Sequence, residues 1–409
     1  SYIYNITTTY NGNGGTTTTA TSTGYLNYDD DRIGTAIVLP STTRTGYSFQ
    51  GWYTAASGGN KIGNAGASYT PIVDSTLYAH WVDDIAPTMG TLTLDKTGWT
   101  NSNVEITAKA TDSGSGISYY KFSTNGNLTA SSTGWTDLKN PKSETTQTYS
   151  AASNGTYYFY VKDAAGNINK KSITISKIEK VKPTIGSFTG TTIVSGNLGT
   201  IKASGIADTG GSGLEGYYLS TSSTTPTEDS SWKSNTSSSL EIEGLKPTVN
   251  TPYYLWVKDK AGNISEAKSC TINVQTAVAK IGTTYYASIA SAVSASSTST
   301  ITMLVNRTES VTIPSGKNIT LSLNSKEITG TITNTGSTIT IKSNSEGDQG
   351  RLENTGTVIQ NNSGIVNITN CTIRSRGAGD CIKVMGGTVN IKTGAKILNE
   401  TTNRNFSIN

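Results

Sequence analysis

Along most of this chain apolar and polar residues alternate with a period of two. VEITAKA at 104–110 places Val104, Ile106, Ala108 and Ala110 on one face. TYYFYVKD at 156–163 places Tyr157, Phe159 and Val161 on one face, with Tyr158 and Tyr160 on the other. That period belongs to a strand with one side against a core. Turn-forming clusters such as NGNGG at 11–15, TDSGSGI at 111–117 and DAAGN at 163–167 interrupt the alternation. One segment departs from it. In YASIASAVSAS, Tyr286, Ile289, Ala290 and Val293 share a helical face, which predicts a single short amphipathic helix. The pattern as a whole predicts an all-β chain.

The alternation is written twice over one stretch. PYYLWVKDKAGNI at 252–264 repeats TYYFYVKDAAGNI at 156–168, 96 positions on; PTIG at 183–186 repeats PTMG at 87–90, and Trp232 answers Trp135. Tandem domain-sized copies signal an array of self-contained modules. Several strands between turn signals in each copy predict two β-sandwiches, at 84–178 and 179–275. Pro87 and Pro183 at their starts stiffen the joints and suit a rod, so the particle is expected to be elongated. Before them, residues 1–83 form an aromatic-rich module in which Tyr47, Phe49, Trp52, Leu77, Ala79 and Trp81 fill a small core.

From 276 onward the repeat shortens. Leu321, Ile339, Val366 and Val389 follow one another at spacings of 18, 27 and 23 residues, each with a second apolar residue two positions later. Further apolar positions flank them, Ile332, Val358 and Ile382 before and Leu352, Ile373 and Ile397 after. Three short strands per coil predict a parallel β-helix over 276–409, with the short helix capping its N-terminal end. NFSIN at the end reads as the start of another strand, so the coil series is expected to be incomplete here.

Each module also carries a resemblance. GWYTAASGG and TLYAHW make residues 1–83 resemble the Listeria–Bacteroides repeat of internalin-type surface proteins, which implies a small β-grasp-like fold with no enzymatic role. VKDxAGN in both copies is similar to bacterial immunoglobulin-like domains, without the paired cysteines of antibody domains. TYYASIASAV and TIPSGKNITL resemble the opening of pectate-lyase-like right-handed β-helices of secreted bacterial proteins.

Composition narrows the function. Thirty-two Lys and Arg against 28 Asp and Glu give a formal charge of +4 over 409 residues, too dilute for a nucleic-acid partner. No apolar run reaches membrane-spanning length. Cys270 aligns with Ile173 and reads as a small buried thiol; whether Cys371 and Cys381 pair is open.

Candidate chemistry is sparse. The only histidine, His80, lies in a strand beside Leu77 and Trp81 and reads as structural. Polysaccharide cleavage on the β-helix needs paired carboxylates or an acidic calcium cluster with a base. Glu327, Glu346, Asp348, Glu353, Asp380 and Glu400, with Arg351, Arg374 and Arg376, show no coil-spaced pair. Calcium at the joints would draw on Asp84, Asp112 and Asp163, echoed by Asp208 and Asp259 but with Lys180 in place of Asp84. Turn chemistry explains the same aspartates. Tyr158, Tyr160, Tyr254 and Trp256 offer rings for sugar stacking or simply cover a pleated face. The expectation is therefore no catalytic, cofactor or metal site. It is a modular extracellular protein of a bacterial surface, a stalk or adhesin presenting modules to host or bacterial glycans or proteins. A secreted polysaccharide-active enzyme and a phage or injection-system fibre are the rival readings.

Overall fold

The computed structural model describes residues 2–27, 33–344, 350–400 and 404–406. It is almost entirely β, with one short helix. The chain divides into two compact units, Ser1–Lys180 and Val181–Asn409.

The first unit opens on a six-stranded sheet. Its edge-to-edge order is Ile33–Gly34, Thr21–Asn27, Ile3–Asn11, Ser75–Asp83, Tyr47–Tyr53 and Lys61–Gly63. The first and last long strands lie side by side at its centre and run parallel, Thr8 against Ser75 and Tyr10 against Leu77, a grasp-like arrangement. One face buries Tyr10, Leu39, Trp52, Leu77 and Ala79. The Trp52 indole N–H is satisfied by the Pro40 carbonyl at 2.9 Å, as a buried indole requires.

A sandwich completes the unit. Thr88–Leu94, Val104–Thr111 and Glu144–Ala151 form one sheet; Thr136–Lys142, Ile117–Ser123, Gly155–Asp163 and Ile168–Ile175 form the other. The alternation in VEITAKA is realised, with Val104, Ile106, Ala108 and Ala110 buried. The Tyr157 hydroxyl donates back to the Ser153 carbonyl at 2.8 Å, the corner tyrosine found in immunoglobulin-like sandwiches.

In the second unit the sandwich recurs. Ser187–Gly190, Gly199–Ser204 and Ser239–Leu245 face a five-stranded sheet that contains Thr251–Asp259 and Lys268–Gln275. Phe188, Ile201, Leu255, Val257 and Ile272 close its core. Cys270 packs at the edge of that core, as its alternation implied.

The rest of the unit is a parallel β-helix of about four turns. Its larger sheet stacks Thr298–Met303, Asn318–Ser322, Ile332–Lys342, Ile359–Thr369 and Thr388–Ile391 in parallel. A second sheet stacks Glu327–Thr329, Arg351–Asn354, Thr372–Ser375 and Lys396–Asn399. The helix Ile289–Ala295 sits over the first coils and buries Ile289, Ala292 and Val293. Ser288 caps it, and the Glu309 carboxylate accepts the Ile289 and Ala290 N–H groups at 3.0 and 2.9 Å. Two donors that a helix start leaves orphaned are thus met from the coil beneath.

The rungs correct the sequence alignment. Leu321 pairs with Ile341, and Ile319 is the partner of Ile339. Likewise Ile332 pairs with Ile359 rather than Val358. The Leu321 slip is of two residues and leaves each side chain on its own face, so alternation does not register it. Leu352, Ile373 and Ile397 do stack as the pattern implied. Thr298–Met303, where Ile301 lies under Leu321, is a rung the repeat did not reveal. Arg404–Phe406 is a strand, but it runs antiparallel to Lys396–Asn399 rather than extending the parallel stack.

One corner of the coil carries a polar stack. Asn334 and Asn361 are fully buried, and the Asn334 amide donates to Asn361 Oδ1 at 2.9 Å and to the Ser363 carbonyl at 2.8 Å. Beside them Gly364 has φ +86°, and a Cβ there would lie 2.3 Å from the Ser337 carbonyl oxygen. Only glycine lets the backbones stack that closely.

Candidate functional site

Three places bring chemistry-bearing residues together. The first lies where the central strand Ser75–Asp83 hands over to the first sandwich. Asp83, Asp112 and Asp163 are all buried, and their carboxylate oxygens lie within 4.8 Å of one another. The converging residue is Asp83, not Asp84. Asp84 bonds the Ser48 hydroxyl instead. The signal was present, since Leu77, Ala79, Trp81 and Asp83 share the inward parity of their strand.

Oxygen donors of this kind suit a hard cation, yet every carboxylate oxygen already accepts a hydrogen bond from the chain. Asp83 takes the Ser115 and Ile85 N–H groups at 2.7 and 3.0 Å. Asp112 takes Gly114 at 3.3 Å and Gly116. Asp163 takes the Asn167 backbone and side-chain amides, both at 2.8 Å. Asn167 also donates to the Asp83 carbonyl at 2.9 Å. Burial pushes the Asp83 carboxyl up, but the Ser115 and Ile85 bonds and the nearby Arg44 outweigh it and hold it below the usual range. The arrangement therefore works as a latch between strand end and turns. In the second sandwich Asp259 is fully buried, and burial, with Asp208 adding to it, raises its carboxyl despite two bonds from Asn263. Lys180, the counterpart of Asp84, donates to Asn103 and the Ala152 carbonyl.

The second place is the smaller sheet of the β-helix, where carboxylates do stack on one face, contrary to the spacing argument. Glu327 meets Glu353 side chain to side chain across neighbouring coils. Arg351 pairs with both, reaching Glu353 at 3.4 Å. Arg376 and Arg374 reach the same Glu353 oxygen at 3.0 and 3.6 Å, and Arg374 continues to Glu400 at 3.2 Å. The acids sit 26 residues apart in a helix of uneven coils, so no fixed period exposed them. Three arginines neutralise three glutamates. Carboxylates in mutual contact cannot flank a glycosidic bond, which needs them about 5–9 Å apart. Asp380 is exposed in a turn; Glu346 and Asp348 lie outside the described residues.

The third place is the outer face of each sandwich. Tyr160 and Trp256 are not open to solvent; each is 1% exposed. The loop 124–135 folds over the first, with the Tyr160 hydroxyl donating to the Asn125 carbonyl at 2.9 Å and accepting from Leu128 N–H at 3.3 Å. Trp135 stands edge-on to Tyr160 at 6.3 Å, while Tyr218 links Trp232 and Trp256 in the second copy. Tyr158 and Tyr254 remain half-buried. His80 is half-buried on the outer face of the first sheet, stacked on Tyr53 at 3.8 Å with Nε2 at 2.9 Å from the Ala55 carbonyl. Cys371 and Cys381 are buried free thiols facing the Ile341 and Leu398 carbonyls.

Residues 4–80 match the family model of the Listeria-Bacteroides repeat domain. No curated protein matches the chain. Among solved structures it is similar to fibronectin(III)-like modules of Clostridium thermocellum CbhA, at 16% identity over 46% of this chain and 95% of that one, TM-score 0.25. A stretch of titin domains aligns at 12% identity over 67% and 99%, TM-score 0.30. The N-terminal immunoglobulin module pair of a Drosophila receptor protein tyrosine phosphatase aligns at 14% over 47% and 100%, TM-score 0.17. The chain is thus a modular one that joins a Listeria-Bacteroides repeat, immunoglobulin-like sandwiches and a β-solenoid. No helix among the described residues is long and apolar enough to cross a membrane.

Proposed function

We propose that this chain is part of an extracellular bacterial surface protein, a non-enzymatic scaffold that presents adhesive modules to glycans or proteins. The observation that carries the reading is the duplication itself. The two sandwiches keep the same buried scaffold, Phe159 and Val161 in one and Leu255 and Val257 in the other. Their outer loops and surface charges differ. Selection that preserves a core and varies a surface suits modules that differ in what they touch. The acids and arginines on the β-helix support the same reading, because they are consumed in pairing with one another.

Beads coated with the full chain should adhere to arrays of bacterial and host glycans or proteins without altering them. Release of reducing or unsaturated sugar ends, abolished by Glu353→Gln, would replace this reading with the polysaccharide-active enzyme.

A further inference from the structure

The internal copies allow a comparison within one molecule. In the first sandwich Lys121, Lys162 and Lys170 all stand on the outer face of the four-stranded sheet. Lys121 and Lys170 flank Tyr160 on its two neighbouring strands, and Lys162 follows two residues along. Their ammonium groups reach the covering loop, Lys121 to the Thr133 carbonyl at 2.6 Å, Lys162 to Ala130 at 3.3 Å and Lys170 to Gly126. Lys162 lies 4.5 Å from the Tyr119 ring centroid and 4.8 Å from that of Trp135; Lys170 lies 5.5 Å from that of Tyr158. Aromatic faces thus fix the cations in place. Among the described residues none of the three pairs with a carboxylate. The one acid on this face, Asp137, has Lys139 at 3.8 Å. An ammonium carries three donors, so each lysine keeps donors beyond its loop carbonyl.

The second copy reverses the charge. Tyr218 replaces Lys121, and because the turn is one residue longer the register position of Lys170 falls on Ala267, with Glu266 beside it paired to Lys182 at 2.6 Å. Lys258, the counterpart of Lys162, is paired with Glu215 at 3.4 Å. The covering loop keeps its internal bond, Thr129 N–H to Ser132 Oγ at 2.9 Å in one copy and Thr227 N–H to Ser230 Oγ at 3.0 Å in the other. Between those anchors Ala130 and Ser131 become Glu228 and Asp229. Same scaffold, same lid, opposite sign.

We propose that the outer face of the first sandwich, around Lys121, Lys162 and Lys170, binds an acidic polysaccharide through its carboxylate or sulfate groups, and that the second sandwich does not. This rests on the adhesive reading above and names its ligand class and place. Fixed cations cost little ordering on binding. The loop between them, TNGNLTASSTGW at 124–135, is uncharged and rich in hydroxyl and amide groups that can meet sugar hydroxyls. With the Tyr160 strand between them and neighbouring strands about 4.8 Å apart, the backbones of Lys121 and Lys170 stand roughly 10 Å apart across the sheet, on the scale of two sugar rings. Duplex nucleic acid, with a charge every ~1.7 Å of its axis, calls for a denser basic face.

The test uses the full chain against immobilised hyaluronate, dextran sulfate and uncharged dextran. Binding to one or both acidic polymers but not to dextran, weakening as salt rises, is expected. Ala130→Glu with Ser131→Asp puts the second copy's acids into the first lid while leaving the lysines and their carbonyl partners in place. It should weaken binding roughly tenfold or more by repelling the carboxylate or sulfate groups that the lysines would hold. Lys121→Gln, Lys162→Gln and Lys170→Gln together should abolish it, with circular dichroism checking the fold. Undiminished binding by the acidic-lid variant, equal capture by dextran, or tighter binding to a short DNA duplex would each overturn the proposal. If no acidic polymer binds while coated beads still adhere to other ligands, this proposal fails and the adhesive reading stands; loss of all adhesion removes both.

Discussion

Glu353 offers the sharpest test of how the β-helix is held together. Its side chain is 7% exposed and has Arg376, Arg351 and Arg374 nitrogens at 3.0, 3.4 and 3.6 Å. Glu353→Leu removes the one anion common to all three and leaves guanidiniums stacked on strands about 4.8 Å apart. Removing one partner of a fully buried pair costs about 3–5 kcal/mol. The Arg376, Arg351 and Arg374 side chains are 44, 33 and 24% exposed, so water screens part of their repulsion. That brings the expected cost to about 2 kcal/mol, or roughly 30-fold in a local opening equilibrium. A chain of several modules has no single unfolding free energy, so the assay is amide hydrogen exchange over Arg351–Asn354 and Thr372–Ser375 in the whole protein. Protection should fall in Glu353→Leu, fall less in Glu353→Gln, and recover partly when Arg374→Leu is added or salt is raised. Unchanged protection in Glu353→Leu, or a loss indifferent to salt, would refute the account of Glu353 as the charge that ties its own coil to the next.

Asn361→Ala removes a buried amide that bonds the Gly386 carbonyl at 3.0 Å and accepts from Asn334; it should cost about 2–3 kcal/mol, and Gly364→Ala should also speed exchange over Ile359–Thr369. Two of the buried aspartates, Asp83 and Asp259, should titrate in opposite senses. Asp83 is depressed in the fold, so its stabilisation is full above the unfolded carboxylate value near ~3.9 and fades as pH falls through its lower folded value. Asp259 is raised, so its contribution is full below that unfolded value and is lost as pH climbs through the folded one. Module-resolved exchange on Asp83→Asn and Asp259→Asn across acid pH checks both signs, and parallel responses would contradict them. Burial pushes the Cys270 and Cys371 thiols up to about 11 and about 12, so both should resist maleimide near neutral pH and label readily in denaturant; fast native labelling would show the cores are looser than drawn.

How far the sequence carried depends on the physics each feature uses. The strand alternation of VEITAKA and TYYFYVKD was legible because one-sided burial is a local rule, and both stretches fold as read. The duplication exposed the sandwiches because two copies must fill equivalent cores. Rung alignment was not legible. A parallel coil tolerates a two-residue slip without turning any side chain outward, and turns of unequal length erase the period. Only the backbone stack distinguishes Ile319 from Leu321 as the partner of Ile339.

The functional groups were hidden by a different effect. Glu327 and Glu353 are joined by stacking across coils, and Asp83 joins Asp112 and Asp163 through turns distant in sequence. Tyr160 and Trp256 have the outward parity of their strands yet are covered, because the loop 124–135 and its counterpart lay a second, smaller apolar layer on the outer sheet. Parity tells which face a side chain occupies; it does not tell whether a loop returns to cover that face. That return shapes the face proposed to take the acidic polysaccharide. A lid held over buried rings by hydrogen bonds to its backbone leaves its own side chains free to vary. Changing Ala130 and Ser131 for the acids found at 228 and 229 alters the field of the face without touching the core. Duplication followed by such changes in the lid is a physically inexpensive route to two surfaces on one scaffold, and the charge reversal between the copies is the mark it would leave.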